Sequence, residues 1–178
     1  MKKQIIDNTI SYRHPVTSDG KYFFDLAIQS ETLDVNSCYH YLIQCRHFSK
    51  TSMVAEYEGE IVGFVTGHIP PDEPLTLFVW QVTVAKKFRG RGLALGMLNA
   101  LVTSLKDKRI TEIKTTITKE NRASIQLFKA LSAIIRVPHH FNDVYFSEEQ
   151  FGKSGHDAEI LFRIGPALHV LGDDNENF

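Results

Sequence analysis

Hydrophobic and polar positions change rhythm repeatedly along this chain, and each change predicts an element. Thr9–Arg13 alternates like a short strand. Asp19–Gln29 places Tyr22, Phe23, Leu26 and Ala27 at helical spacing, so one face of a helix is apolar. Asn36 is a fitting N-cap for a second helix to about His47, with Tyr39, Leu42, Ile43 and Arg46 in steps of three and four. Met53–Tyr57 and Ile61–Ile69 are β-rich runs around Glu58-Gly59, a hairpin signal, and Pro70, Pro71 and Pro74 enforce a loop.

Thr76–Val84 (TLFVWQVTV) is apolar at nearly every position, the signature of a central strand covered on both faces. A Gly- and Arg-rich turn leads into an apolar helix, Leu93–Leu105. Glu112–Thr118 reads as a strand, and Asn121–Ser132 as a helix with Ile125, Leu127, Phe128 and Leu131 on its apolar face. From His139 to Gly155 the periodicity dissolves, predicting a loop. Glu159–Ile164 is a final strand, stopped by Gly165-Pro166. The order β-α-α-β-β-β-α-β-α-β predicts an α+β fold, one mixed sheet with helices on its faces. A single domain over residues 9–170 is expected, between a flexible N-terminus (1–8) and a flexible acidic tail (171–178, with Gly172–Phe178 reading GDDNENF).

Charge and composition narrow the classes. The 20 basic and 21 acidic residues give a net charge of −1, which lacks the electrostatic footprint of a general nucleic-acid binder. No apolar run approaches the roughly 20 residues that span a bilayer. The start lacks the apolar core of a signal peptide, so a cytoplasmic location is expected. Cys38 and Cys45 are seven residues apart on one predicted helix and read as small buried apolar residues or inert surface thiols, not a disulfide framework. The eight histidines are scattered and H-E-x-x-H does not occur, so no metal is expected.

The turn Ala85–Ala94 is the strongest local chemistry. Lys86, Lys87, Arg89 and Arg91 put four cations into six residues of an otherwise neutral chain. Gly90 and Gly92 permit positive φ and close approach of a ligand to the backbone. The first amides of the following helix have no intrahelical partners and can cradle an anion. A pyrophosphate site and a solvated basic turn both fit these features alone. P-loop and dinucleotide fingerprints are absent.

Arg89-x-x-Gly92-x-Ala94, between a β-rich strand and an apolar helix, resembles the coenzyme A turn of the GCN5-related N-acetyltransferases. Asn121-x-x-Ser124-x-x-Leu127-Phe128, after the strand Glu112–Thr118, resembles that superfamily's second motif. The resemblance implies a mixed, mostly antiparallel sheet with a splayed central strand pair and acetyl-CoA as co-substrate. It implies that the pantetheine arm runs along Val82, Thr83 and Val84. The pyrophosphate would lie on the amides of Arg89, Gly90, Arg91, Gly92, Leu93 and Ala94. Asn121, Ser124 and Phe128 would border the arm. Many relatives carry Tyr where Phe128 stands, and Phe128 has no proton for a departing thiolate.

Three further blocks point inside the superfamily: Thr32–Tyr41, Pro70–Val82 and Gly155–Pro166. They resemble a branch that acetylates the distal amine of the diamino acid L-2,4-diaminobutyrate on the way to ectoine. The resemblance implies Asp34, Tyr39, Thr76, Trp80, Gln81, His156 and Glu159 as acceptor-site residues, and a homodimer. Read by themselves, Asp34 fits a turn carboxylate or an ammonium partner, and Trp80 a core residue or a pocket wall. His156 and Glu159 follow a glycine-containing loop long enough to cover a cleft.

Acetyl transfer to an amine needs that amine neutral and close to the thioester, and a donor for the developing oxyanion. A primary ammonium titrates near 10, so freeing it of its proton at pH 7 costs roughly 4 kcal/mol. Glu159 is the expected base or base relay, with His156 beside it. No G-x-S-x-G elbow is present, and direct transfer in a ternary complex is the expected route. Another amine acceptor (a polyamine, an aminoglycoside or a protein N-terminus) and a non-catalytic CoA-binding module are the alternatives.

Overall fold

The structure, a computed structural model, describes residues 10–166. The expected loose N-terminus, the acidic tail and residues 167–170 lie outside the described residues. Among the described residues there are seven strands: β1 (Ile10–Arg13), β2 (Met53–Tyr57), β3 (Glu60–His68), β4 (Thr76–Val84), β5 (Glu112–Thr118), β6 (His139–Phe146) and β7 (Glu159–Ile164). The four α-helices are α1 (Gly20–Ser30), α2 (Cys38–His47), α3 (Leu93–Ser104) and α4 (Arg122–Ile135). The strand order is β1-β2-β3-β4-β5-β7-β6. The pair β4/β5 is parallel, and β1/β2, β2/β3, β5/β7 and β6/β7 are antiparallel, so the sheet is mixed and mostly antiparallel.

The chain forms two compact units, and β4 passes from one into the other. The first comprises the chain up to Gly67 with Gln81–Leu101; the second comprises His68–Trp80 with the chain from Val102 onward. In the first unit the helical spacing of α1 buries Phe23, Leu26 and Ala27 against Tyr41, Cys45, Val54 and Phe64. Phe23 stacks on Phe64 with centroids 4.3 Å apart, and Tyr41 meets both rings edge-on. Cys45 is therefore core, its thiol pushed up to about 12 by burial first and by the Asp19 carboxylate second. α3 turns Leu93, Met97, Leu98 and Leu101 inward.

In the second unit β4 and β5 are in register over Thr76–Phe78 and Glu112–Lys114. β5 alternates cleanly, with Ile113, Thr115 and Ile117 buried, and α4 buries Phe128, Leu131, Ser132 and Ile135. Phe162 of β7 gathers the rings of Phe128, His139 and Phe141.

Two expectations are corrected. Ser37, not Asn36, caps α2: its hydroxyl accepts the His40 amide at 3.2 Å. The segment His139–Gly155 is not a loop throughout. His139–Phe146 is an edge strand paired only with β7, and a 3-10 segment Glu148–Ser154 follows. Its register shifts twice and it leaves Val144, Tyr145 and Phe146 exposed, which erases the alternation that betrays a strand.

Candidate active site

In the first unit, β4 ends in a 3-10 turn, Lys86–Phe88, whose Phe88 ring is buried and lies 5.2 Å from Tyr57. That plug fixes the start of the basic turn. Gly90 (φ 75°) and Gly92 (φ 78°) then occupy the left-handed region, which suits glycine. The Gly96 amide donates to the Gly92 carbonyl at 2.9 Å, so α3 begins immediately and presents its first-turn amides at the turn. The Arg91 guanidinium lies 5.2 Å above the Phe88 ring. Lys86 pairs with Glu31 at 3.2 Å and Lys87 with Glu60 at 3.9 Å, all on exposed side chains, where such pairs contribute little.

Arg89 is exposed, yet its Nε donates to the Val84 carbonyl at 3.1 Å and an Nη to the Ser30 carbonyl at 3.2 Å. It thereby ties the end of β4 to the C-terminus of α1 while keeping its positive charge beside the turn. Beside it, Leu26, Ser30 and Glu31 face Val84, Lys86 and Arg89 across a cavity of about 280 Å³. A phosphate-bearing thiol ester fits this region on chemical grounds: open glycines, helix-start amides and a strand edge beside an empty volume. Val82 is half-buried here, while Thr83 and Val84 are buried, as is Leu93; Ala94 is half-buried.

Between α1 and α2, Asp34 is exposed and Tyr39 is 71% exposed. Gln81 is 5% exposed and engaged at both ends. Its Oε1 accepts the Tyr41 hydroxyl at 3.1 Å and its Nε2 donates to the Asp34 carbonyl at 2.9 Å. The polar interruption of β4 is thus a hydrogen-bonded fixture of the loop that carries Asp34.

In the second unit, Thr76 is buried and Trp80 is 43% exposed, so the single tryptophan is not core. Asn121 is exposed and caps α4, its side chain accepting the Ser124 amide at 3.0 Å. Phe128 is buried with its ring 5.8 Å from Phe162. His156 Nε2 stands 3.6 Å from Glu159 Oε1, with both side chains largely buried. His156 Nδ1 lies 2.7 Å from the Asp157 carbonyl. A carbonyl only accepts, so the proton sits on Nδ1 and Nε2 faces the carboxylate. An imidazolium is attracted there, whereas a neutral ring presents its lone pair to Glu159. Phe151 stacks on the imidazole at 4.2 Å, which fixes the ring plane.

Each unit thus gathers part of the expected set: Asp34, Gln81 and the turn in one, His156 with Glu159 in the other. Sequence reading missed Tyr41, Phe151 and the carbonyl ties of Arg89. The buried face of α2 is Tyr41, Gln44 and Cys45, not the stripe through Tyr39, Leu42, Ile43 and Arg46, and the spacing of Tyr41 to Cys45 was the available signal; for Phe151 there was none. Among the described residues no group of three or more His, Cys, Asp or Glu is placed to hold a metal ion. No described helix is long and apolar enough to cross a membrane.

The glycine-opened turn at the start of α3, fed by the apolar strand β4 in a mixed sheet, resembles the cofactor turn of acetyl-CoA-dependent acyltransferases. The chain belongs to the acetyltransferase (GNAT) family, whose model matches residues 21–132. Within that family it is similar to the L-2,4-diaminobutyric acid acetyltransferase of Vibrio parahaemolyticus, with 41% identity over 86% of this chain and 84% of that protein. It is 42% identical to the one from Streptomyces anulatus, over 88% of this chain and 90% of that protein. Among solved structures, diaminobutyrate acetyltransferase EctA from Paenibacillus lautus, in complex with its substrate L-2,4-diaminobutyric acid and coenzyme A, superimposes with a TM-score of 0.84. That match has 37% identity and covers 89% of this chain and 96% of that one.

Proposed function

We propose that this chain transfers the acetyl group of acetyl-CoA to the distal (N4) amine of L-2,4-diaminobutyrate, by direct transfer in a ternary complex. The observation that carries this reading is the likeness along nearly the whole chain to a solved acetyltransferase complexed with that diamino acid and coenzyme A. The pyrophosphate of acetyl-CoA lies on the amides of the turn from Arg89 to Ala94. Its pantetheine arm follows Val82–Val84, with Asn121, Ser124 and Phe128 bordering it. Asp34, Tyr39, Thr76, Trp80 and Gln81 shape the acceptor site.

Glu159 accepts a proton from the distal ammonium, and His156, held by Phe151 and the Asp157 carbonyl, shares that proton. The neutral nitrogen attacks the thioester carbon and forms the C–N bond, while the oxygen takes up charge that a backbone amide near Val82 stabilises. The C–S bond then breaks and sulfur leaves with the electron pair. Phe128 has no proton to give, so the thiolate takes one released by the acylated nitrogen or by solvent. The product is N4-acetyl-diaminobutyrate, placing the enzyme in ectoine biosynthesis and osmoprotection, as a homodimer in the cytoplasm.

Thiol release from acetyl-CoA, measured with diaminobutyrate, ornithine, lysine and a polyamine, tests this. Each added methylene moves the distal amine by about 1.3–1.5 Å, as covalent geometry requires, so diaminobutyrate should be preferred. NMR of the product should show the N4 isomer with almost no N2 isomer. A preference for another amine, or CoA binding with no thiol release, overturns the reading. Sedimentation of the free enzyme tests the dimer.

A further inference from the structure

We propose that Gln81 is a positioning residue for the amine acceptor, acting through Asp34 without touching the acceptor itself. The proposal rests on diaminobutyrate being the acceptor. Gln81 lies in an otherwise apolar strand and is almost fully buried, where an unsatisfied amide is costly. Its backbone amide donates to Thr66 Oγ1 at 3.1 Å, which fixes its place on β4. Its side chain holds one partner at each end. The Tyr41 hydroxyl, in a residue with no exposed surface, donates to Oε1 and so orients the amide; Nε2 then donates to the Asp34 carbonyl.

The loop carrying Asp34 has a second anchor. Ser30 Oγ donates to the Ala27 carbonyl at 2.7 Å and accepts the amides of Thr32 and Leu33 at 3.3 and 3.1 Å. Arg89 holds the Ser30 carbonyl. One end of the loop is therefore tied to the cofactor turn, and the Asp34 end to Gln81. Gln81 is only 5% exposed, and both partners that its amide holds are protein groups, Tyr41 and the Asp34 carbonyl. What Gln81 supplies is the backbone position from which the Asp34 carboxylate meets a positively charged acceptor.

The test is a double-mutant cycle with Gln81→Met, close in volume but without hydrogen-bonding groups, and Asp34→Ala. Alone, Gln81→Met should raise the KM for diaminobutyrate about tenfold, the size of one lost buried hydrogen bond. The KM for acetyl-CoA should stay within about twofold. In the Asp34→Ala background the same change should add less than about twofold, because its only route to the acceptor is gone. Tyr41→Phe, which leaves the Asp34 bond in place, should have a smaller effect than Gln81→Met. Gln81→Asn, one methylene too short to reach both partners, serves if the Met variant does not fold. Full additivity, equal rises in both KM values, or an unchanged diaminobutyrate KM would overturn the proposal. If the wild type leaves diaminobutyrate unacetylated, the acceptor reading fails while the positioning claim remains open to amide hydrogen exchange. Gln81→Met should speed exchange in residues 32–36 and leave β4 protected; unchanged exchange there overturns it.

Discussion

Gly92 offers the sharpest test of the cofactor turn. It sits at φ +78°, and a Cβ built on it meets nothing within 4 Å. Alanine at this position therefore adds no clash, and its whole effect is the cost of an L residue in the left-handed region, about 1–2 kcal/mol. The turn is at the surface and can flip to negative φ in the free protein, which moves the cost onto ligand binding. CoA affinity should then fall by about 5–30-fold, the equivalent of that free energy. If the turn holds its shape, the same cost appears as a lower melting temperature, by about 2–4 °C per kcal/mol in a chain of this size. Gly59 in the β2–β3 hairpin is the control, since its φ is +81° and its Cβ position is equally open. Calorimetric titration with CoA and thermal unfolding of Gly92→Ala and Gly59→Ala separate the two effects. Gly92→Ala should bind CoA more weakly, whereas Gly59→Ala should change only stability. Gly92→Val should be worse than alanine, because its second γ-branch crowds the backbone that the pyrophosphate approaches. Wild-type CoA affinity together with an unchanged melting temperature in Gly92→Ala, or equal loss of affinity in both alanine variants, refutes the reasoning.

Glu159→Gln keeps the size of the side chain and removes the proton acceptor, so turnover should fall at neutral pH with CoA affinity nearly intact. Raising the pH should partly restore it by supplying neutral amine, and an unchanged pH–rate profile would remove Glu159 from the role of base. Gly63→Ala should destabilise the protein by about 1–3 kcal/mol, as overpacking does. The new Cβ lies 2.9 Å from the Thr83 carbonyl, which is backbone and cannot turn aside, and an unchanged melting temperature would refute this. The Lys114 ammonium, 2.7 Å from Glu73, holds that carboxyl below the usual range; burial opposes the charge on Lys114, but Glu73 and Glu112 outweigh it and raise its pKa. Stability from Glu73 is therefore present above its unfolded pKa of about 4.3 and lost as pH falls through the lower folded value, so Glu73→Gln should flatten the acid limb of a pH–melting curve.

Local pattern alone determined most of the elements. A helix such as α1 or a strand such as β5 writes its buried face at fixed spacing, and a turn that needs positive φ is written in glycine; both were readable at Phe23, Leu26, Ile113, Gly90 and Gly92. The order of elements and the motif at Arg89–Ala94 are enough to point to the acetyltransferase class. β6 was not readable, because an edge strand with bulges and an exposed face has no alternation to show. Side-chain direction was also beyond the sequence. Arg89 was read as a cation at the turn, and tertiary packing adds that the carbonyls of Val84 and Ser30 lie within its reach and make it a tie as well. Gln81 looked like an acceptor ligand, but Tyr41 and Asp34, 40 and 47 residues away in the chain, take both ends of its amide. Trp80 fitted either the core or a pocket wall, and only the fold decided against the core by leaving it 43% exposed. Periodicity reports which face of an element is buried, whereas the partner of a polar group is fixed by residues far away in sequence, and only folding brings them within 3 Å.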